Sequence, residues 1–231
     1  MNQEDCADWK GSGPKEPYIL SAELMKISLG TPDSNAIQYA AGFIRRGEVV
    51  GVPTDTFYAL AADPFNLAAV EEIYRAKGRP ENRALPILVN SIDQAVALAR
   101  DLPPNFLKLA QKFWPGPLTL LVDASQHIPL KVTANMGRAA LRWPNSPAAC
   151  ALIELLGSPI TGTSANISGF PSCSNADQLM EQLGDRLPLI LDGGDTGAMI
   201  SSTIVDLRDD EWRIVREGLV AAEDIESVVA G

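Results

Sequence analysis

From residue 34 onward, stretches with helical spacing alternate with short apolar runs, and no long linker separates them. That alternation confines the chain to one α/β domain in which helices pack on a sheet. Ile37, Ala40, Ala41 and Ile44 follow the i, i+3, i+4, i+7 spacing of a helix opened near Asp33 and Ser34 and closed by Gly47. Val49-Val50-Gly51-Val52 reads as a buried strand ending at Pro53. Asn66 is a good N-cap for a second helix with Leu67, Val70 and Tyr74 on one face. Residues 84–89 are strand-like, and Ser91 with Gln94 forms the pattern of a capping box. A helix over 105–113 is stopped by Pro115-Gly116-Pro117. Further strands are expected at 118–122, 139–141, 159–163, 189–191, 202–207 and 213–215, with helices at 148–156, 176–183 and 222–229. Their uneven spacing implies a mixed parallel and antiparallel sheet.

Residues 1–33 are polar and carry Gly11, Gly13, Pro14, Pro17 and Pro32, so they read as an N-terminal extension ahead of a folded body at 34–231. Tyr18-Ile19-Leu20 is the part of it expected to be ordered. The 231 residues carry 19 basic and 29 acidic side chains, a net charge of −10. Such a chain is poorly suited to gripping nucleic acid over a broad surface, because phosphate neutralisation needs clustered Lys and Arg. No apolar run approaches the roughly 18–20 residues that span a bilayer. Glu4, Asp5 and Asp8 stand where a secretory signal would be basic, so a cytoplasmic location is expected. Cys6, Cys150 and Cys173 are far apart, and His127 is the single histidine, which excludes a disulfide framework and multi-His metal sites. His127, in a polar stretch after Ser125, reads as a solvated loop residue.

The common nucleotide loops, G-x-x-x-x-G-K-[ST] and G-x-G-x-x-G, are missing, and Gly162-Thr163-Ser164-Ala165-Asn166 does not satisfy G-x-S-x-G. Polar clusters at strand ends remain. Pro53-Thr54-Asp55-Thr56-Phe57-Tyr58 follows a strand, where it is either a ligand-facing loop or a turn held by its own side chains. Between Arg75 and Arg83, four basic residues face one acid, Glu81. Arg75 and Lys77 suit a helix C-terminus, whereas Arg79 and Arg83 lie beyond Gly78 and Pro80 and are either solvated charges past the helix end or the forks of an anion site. Arg142, the segment from Ser164 to Ser172, Ser202-Thr203 and Arg216 each read alone as a cap, turn or surface charge. Together they offer hydroxyls and separated arginines for a substrate with several negative charges. Trp114-Pro115-Gly116-Pro117 reads as an aromatic core anchor and a rigid turn.

Pro53-Thr54-Asp55-Thr56-Phe57-Tyr58-Ala59-Leu60 resembles the P-T-[DE]-T-x-Y-G-L signature of YrdC-like proteins, the threonylcarbamoyl-adenylate synthases. Lys77-Gly78-Arg79-Pro80, the segment from Phe113 to Thr119, the segment from Ser164 to Gly169, and Ser202-Thr203-Ile204 match further motifs of that family in order. The resemblance covers residues 35 to 220 and is to the short form, without an additional C-terminal domain. It implies a twisted mixed sheet flanked by helices around a large open cavity. It also implies a nucleotidyltransferase that makes threonylcarbamoyl-AMP and pyrophosphate from L-threonine, bicarbonate and ATP, with Mg2+ arriving on the ATP. The product would pass to a downstream tRNA-modifying transferase complex for the threonylcarbamoyl modification of adenosine 37.

By the resemblance, Thr56, Arg142 and Ser202 hold threonine. Arg79, Arg83, Ser164, Ser172 and Arg216 contact ATP, supported by Lys77 and Asn166. No protein nucleophile is needed, so catalysis would rest on positioning and electrostatic stabilisation. Four positions depart from the family pattern. Ala59 stands where glycine is usual, Arg83 where Asn or Lys is common, Leu88 where some relatives carry a polar group, and Arg138 where a small polar residue is common. These departures leave a shifted amino-acid preference open. Competing readings are an RNA- or ribosome-binding module and a related nucleotidyltransferase acting on a different amine.

Overall fold

The computed structural model describes residues 21–208 and 211–231. Two mixed sheets share the strands. The five-stranded sheet runs in the order β1 (Glu23–Lys26), β9 (Leu189–Asp192), β2 (Val50–Val52), β3 (Ala59–Ala61) and β8 (Thr163–Ser164). The six-stranded sheet runs in the order β11 (Glu211–Arg216), β10 (Thr203–Arg208), β5 (Leu118–Asp123), β6 (Arg138–Arg142), β4 (Ile87–Leu88) and β7 (Ile160–Thr161). Parallel and antiparallel pairs occur in both, as the mixed spacing of the apolar runs implied.

Helices form where caps and periodicity coincide. Asp33 caps α1 (Ser34–Arg45) by accepting from the N–H groups of Asn35 and Ala36, and Asn66 does the same for α2 (Leu67–Lys77). The buried stripe of α1 packs with α5 (Pro147–Leu156) against Val50 and Val52 of β2. On the six-stranded sheet, period two divides the faces. Leu118, Leu120, Val122, Ala139 and Leu141 enter the core with Phe106 and Leu109 of α4 (Asn105–Phe113), while Thr119, Leu121, Ala140 and Arg142 turn the other way. The remaining helices are α3 (Ile92–Leu98), α6 (Ala176–Leu183) and α7 (Ala222–Ala230).

Several expectations change. Glu23–Lys26 pairs in parallel with β9, so the folded body begins before residue 34, and Tyr18 to Leu20 lie outside the described residues. Residues 84–89 contribute a strand only at Ile87–Leu88. Gln94 accepts from the Asn90 N–H rather than from Ser91, so the capping box is displaced by one residue. The strand expected over 159–163 is broken at Gly162. On one side of it β7 pairs with β4, and on the other β8 pairs with β3 in the second sheet. A Cβ at Gly162 would sit 2.4 Å from Leu88 Cγ, so only glycine lets the chain cross there.

Arg138 is buried at the start of β6 and pairs with Asp206 and Asp123. It also donates to the carbonyls of Leu121 and Leu207, each at 2.8 Å. Asp206 further accepts from Arg208 at 3.1 Å and Arg213 at 3.2 Å. This departure from the family pattern therefore fastens β5, β6 and β10 and lies off the cavity described below. Removing one partner of a buried ion pair strands the other charge. We expect Asp206→Ala to cost about 3 kcal/mol, the lower part of the usual range because Arg138 keeps Asp123. An unchanged midpoint in urea denaturation would show that the pair does not support the fold.

Candidate active site

Residues of both sheets line a cavity of about 340 Å³. Its floor is the second face of the six-stranded sheet, and strand register spreads the key residues across it. Leu88 pairs with Arg142, Thr119 with Ile204, and Ile204 with Arg216. Ala59 of β3 and Ser164 of β8, themselves register partners, form part of the facing wall. Thr56, Arg79, Arg142, Ser164, Ser172, Ser202 and Arg216 all line this one space, although they are spread over 161 positions from 56 to 216. None of the described lining residues is acidic, in a chain of net charge −10.

Arg142 is 6% exposed, and its guanidinium is held from three directions. Nε donates to the Gly116 carbonyl at 3.0 Å, Nη1 to Thr56 Oγ1 at 2.9 Å, and Nη2 to Asp55. Two of its five N–H groups remain for a ligand. Burial pulls the Arg142 pKa down, and the Asp55 carboxylate opposes that pull. At the other end, Arg216 donates through Nε and Nη2 to the Ser202 carbonyl, at 3.1 and 2.7 Å, and through Nη2 to Ser202 Oγ at 3.0 Å. Ser202 Oγ also meets Thr119 Oγ1 at 2.9 Å. Among the described residues Arg216 Nη1 makes no hydrogen bond, so it can meet an anion. Burial and the nearby Arg142 charge both lower the Arg216 pKa.

The basic segment after α2 divides its roles. Gly78 adopts the left-handed conformation at φ 56°, which ends the helix and turns the chain towards the cavity. Arg79 enters it, with Nε on the Arg83 carbonyl at 3.1 Å and Nη2 on the Ala84 carbonyl at 2.7 Å. Arg83 contributes that backbone carbonyl, while its side chain is exposed and does not line the cavity. Lys77 is 1% exposed and lies behind the wall. Its amine donates to the carbonyl of Ser164, to the carbonyl of Asn166 at 2.7 Å and to Asn166 Oδ1 at 3.2 Å. Asn166 in turn accepts from Ser164 Oγ at 2.6 Å and donates to the carbonyls of Ile167 and Phe170. Lys77 and Asn166 thus hold the loop that presents Ser164 and do not themselves line the cavity.

Asp55, Thr54, Thr119 and the Gly116 carbonyl complete the site without having been assigned to it. The first two lay in the polar cluster, where Thr54 pairs locally with Thr56, but the pairing of Asp55 with Arg142 spans 87 positions. Gly116 acts through a backbone carbonyl, which has no side-chain signal. Trp114 is the core anchor expected, edge-on to Phe106, with its indole N–H on the Leu118 carbonyl at 2.7 Å. Ala59 and Leu88 line the cavity, so these two departures face the same space as the arginines. His127 is exposed and meets Ser125 at 3.2 Å. A larger groove of about 710 Å³ along α2 is lined by two ion pairs, Arg75 with Glu72 and Lys131 with Glu81, and by Glu71 and Arg79, the last of which also lines the cavity.

A family model named Sua5_yciO_yrdC and described as telomere recombination matches residues 42–218. The chain belongs to the Sua5/YciO/YrdC family. It is 40% identical over 193 residues to a threonylcarbamoyl-AMP synthase of Pyrococcus abyssi, covering 84% of this chain and 57% of that one. A putative threonylcarbamoyl-AMP synthase of Mycobacterium tuberculosis is 37% identical over 196 residues, covering 85% and 90%. The crystal structure of P. abyssi Sua5 complexed with L-threonine superposes with a TM-score of 0.86 at 38% identity, covering 90% of this chain and 61% of that one. E. coli YciO, at 24% identity and a TM-score of 0.81, shares the fold. The chain spans 57% and 58% of the length of the P. abyssi and Bacillus subtilis relatives. No helix among the described residues is long and apolar enough to cross a membrane.

Burial and the neighbouring Arg79 charge bring the Lys77 amine from 10.5 down to about 7. Between those two values the unfolded chain binds this proton more fully than the folded one, so folding is favoured as pH rises. Wild type should therefore gain stability relative to Lys77→Met as pH is raised from about 7 to about 9, as read from denaturant midpoints. A constant difference would show that Lys77 keeps its ordinary proton affinity in the fold.

Proposed function

We propose that this chain is an L-threonylcarbamoyladenylate synthase, making threonylcarbamoyl-AMP and pyrophosphate from L-threonine, bicarbonate and ATP. The observation that carries the reading is the convergence of Arg79, Arg142 and Arg216 with Thr56, Ser164 and Ser202 on one cavity with no acid among its described lining residues. The names of its relatives, and the threonine bound by P. abyssi Sua5, support the same substrate class.

The two ends of the cavity suit different parts of the reaction. Arg142 offers two N–H groups in a fixed plane, which match a carboxylate bidentately. Arg79 and Arg216, with Ser164 and Ser172, face the rest of the space as donors to phosphate oxygens. With the amino acid held at Arg142, its amine nitrogen adds to the carbon of CO2, giving a carbamate and releasing a proton, or to the carbon of bicarbonate, giving the same carbamate and releasing water. A carbamate oxygen then attacks the α-phosphorus, and the bond to pyrophosphate breaks. The arginines stabilise charge on the phosphoryl oxygens, and alignment of three reactants supplies much of the acceleration. With no acid among the described lining residues, Mg2+ would enter with ATP and be held by the phosphates. The mixed anhydride formed is labile, so the chain would act in the cytoplasm beside the transferase that consumes it on tRNA.

The deciding experiment is an incubation with ATP, Mg2+, L-threonine and labelled bicarbonate. Label should appear in an adenylate, and pyrophosphate release should depend on threonine. Absence of label from any adenylate would overturn the reading. Arg79→Ala should lower threonine-dependent pyrophosphate release at least ten-fold, as expected when a charge-assisted contact to phosphate worth roughly 1.5–3 kcal/mol is lost. Unchanged kinetics in the folded variant would remove Arg79 from the phosphate site.

A further inference from the structure

The hydrogen bonds behind Thr56 determine which atoms of an amino acid it can meet. Thr54 and Thr56 are both buried, and both line the cavity. A threonine hydroxyl has one proton to donate and two lone pairs with which to accept. Thr54 Oγ1 lies 2.7 Å from the Phe57 carbonyl, which can only accept, so the Thr54 proton is committed there. The same oxygen accepts the Thr56 backbone N–H at 3.1 Å. Its contact with Thr56 Oγ1, also 3.1 Å, therefore runs one way, from the Thr56 hydroxyl to Thr54. Arg142 Nη1 donates to that Thr56 oxygen at 2.9 Å. Direction is set along the whole chain of groups, from guanidinium to Thr56, to Thr54, to the Phe57 carbonyl. Thr56 has used its proton and one lone pair, and a single lone pair is left for a ligand.

A carboxylate has no hydrogen to offer that lone pair, and an amine has. We infer that Thr54 is a positioning residue that makes Thr56 an acceptor-only contact, which takes an N–H of the substrate's amine while Arg142 takes its carboxylate. The inference rests on the amino-acid substrate proposed above and assigns its orientation. An amine that gives one N–H to Thr56 directs its lone pair away from that wall, into the space where the carbon electrophile must approach. Without Thr54 as acceptor, the Thr56 proton is free to turn into the cavity and oppose the amine N–H.

The test compares binding of L-threonine with binding of 3-hydroxybutanoate, which keeps the carboxylate, hydroxyl and methyl groups but carries hydrogen in place of the amine. Calorimetry on the full chain gives the ratio of the two dissociation constants for wild type, Thr54→Val and Thr54→Ser. The preference for threonine should fall about five-fold in Thr54→Val, the size of one net hydrogen bond, and should be retained in Thr54→Ser. Equal weakening of both ligands, or no change in either, would overturn the inference, since a loosened pocket does not distinguish an amine from a hydrogen. If Thr54→Val fails to fold, Thr56→Val must lose the preference, and its retention would be equally fatal. Wild-type protein that binds neither ligand overturns the amino-acid substrate itself. Threonine binding with an unaltered preference in Thr54→Val overturns only the orientation.

Discussion

A single guanidinium joins the parts of the molecule that make the site. Arg142 ends β6 in the six-stranded sheet, yet it is held by Thr56 and Asp55 from the loop after β2 in the other sheet, and by the Gly116 carbonyl from the turn before β5. A buried arginine is tolerable only where its donors are met and its charge is compensated. Here the contacts that meet three of its five donors and balance its charge also align two sheets around a shared space. Asp55 meets the arginine through Oδ1 alone, and its Oδ2 is buried without a partner among the described residues.

The electrostatics run against the whole-chain balance. With no acid among the described lining residues, the cavity concentrates positive potential in a place that total charge conceals. Low-dielectric walls strengthen such a local field, and an anion is attracted there even though the outer surface repels it. The depressed pKa values of Arg79, Arg142 and Arg216 share one leading cause, desolvation, which makes each more ready to take an anionic partner.

Much of this was legible locally. Asp33, Asn66 and Ser91 announce their helices because a cap and its target N–H lie within three residues. Strand membership was not legible, because residues 160–164 carry no sign that pairing changes sheet at Gly162 and that Leu88, 74 positions earlier, demands it. At the site, motif residues that line the cavity were found by type and order. The division of labour among them was not. Lys77 sits in a basic run that reads as surface charge, and only the three-dimensional path of the loop after Ser164 puts its amine under three oxygens. Arg83 shows the converse, in which charge suggests an anion contact and the fold uses its backbone carbonyl instead.

The crossing at Gly162 has a mechanical side. Neighbouring Cα atoms are about 3.8 Å apart, so one residue between β7 and β8 leaves no slack with which the sheets could part on that flank. The other direct passage between them, from β9 to β10, spans residues 193–202 without helix or strand. The two layers are thus joined by a single residue along one margin and by a ten-residue segment along the other. A side chain added at Gly162 would therefore disturb both sheets at once, because Thr161 before it and Thr163 after it are strand residues of different sheets.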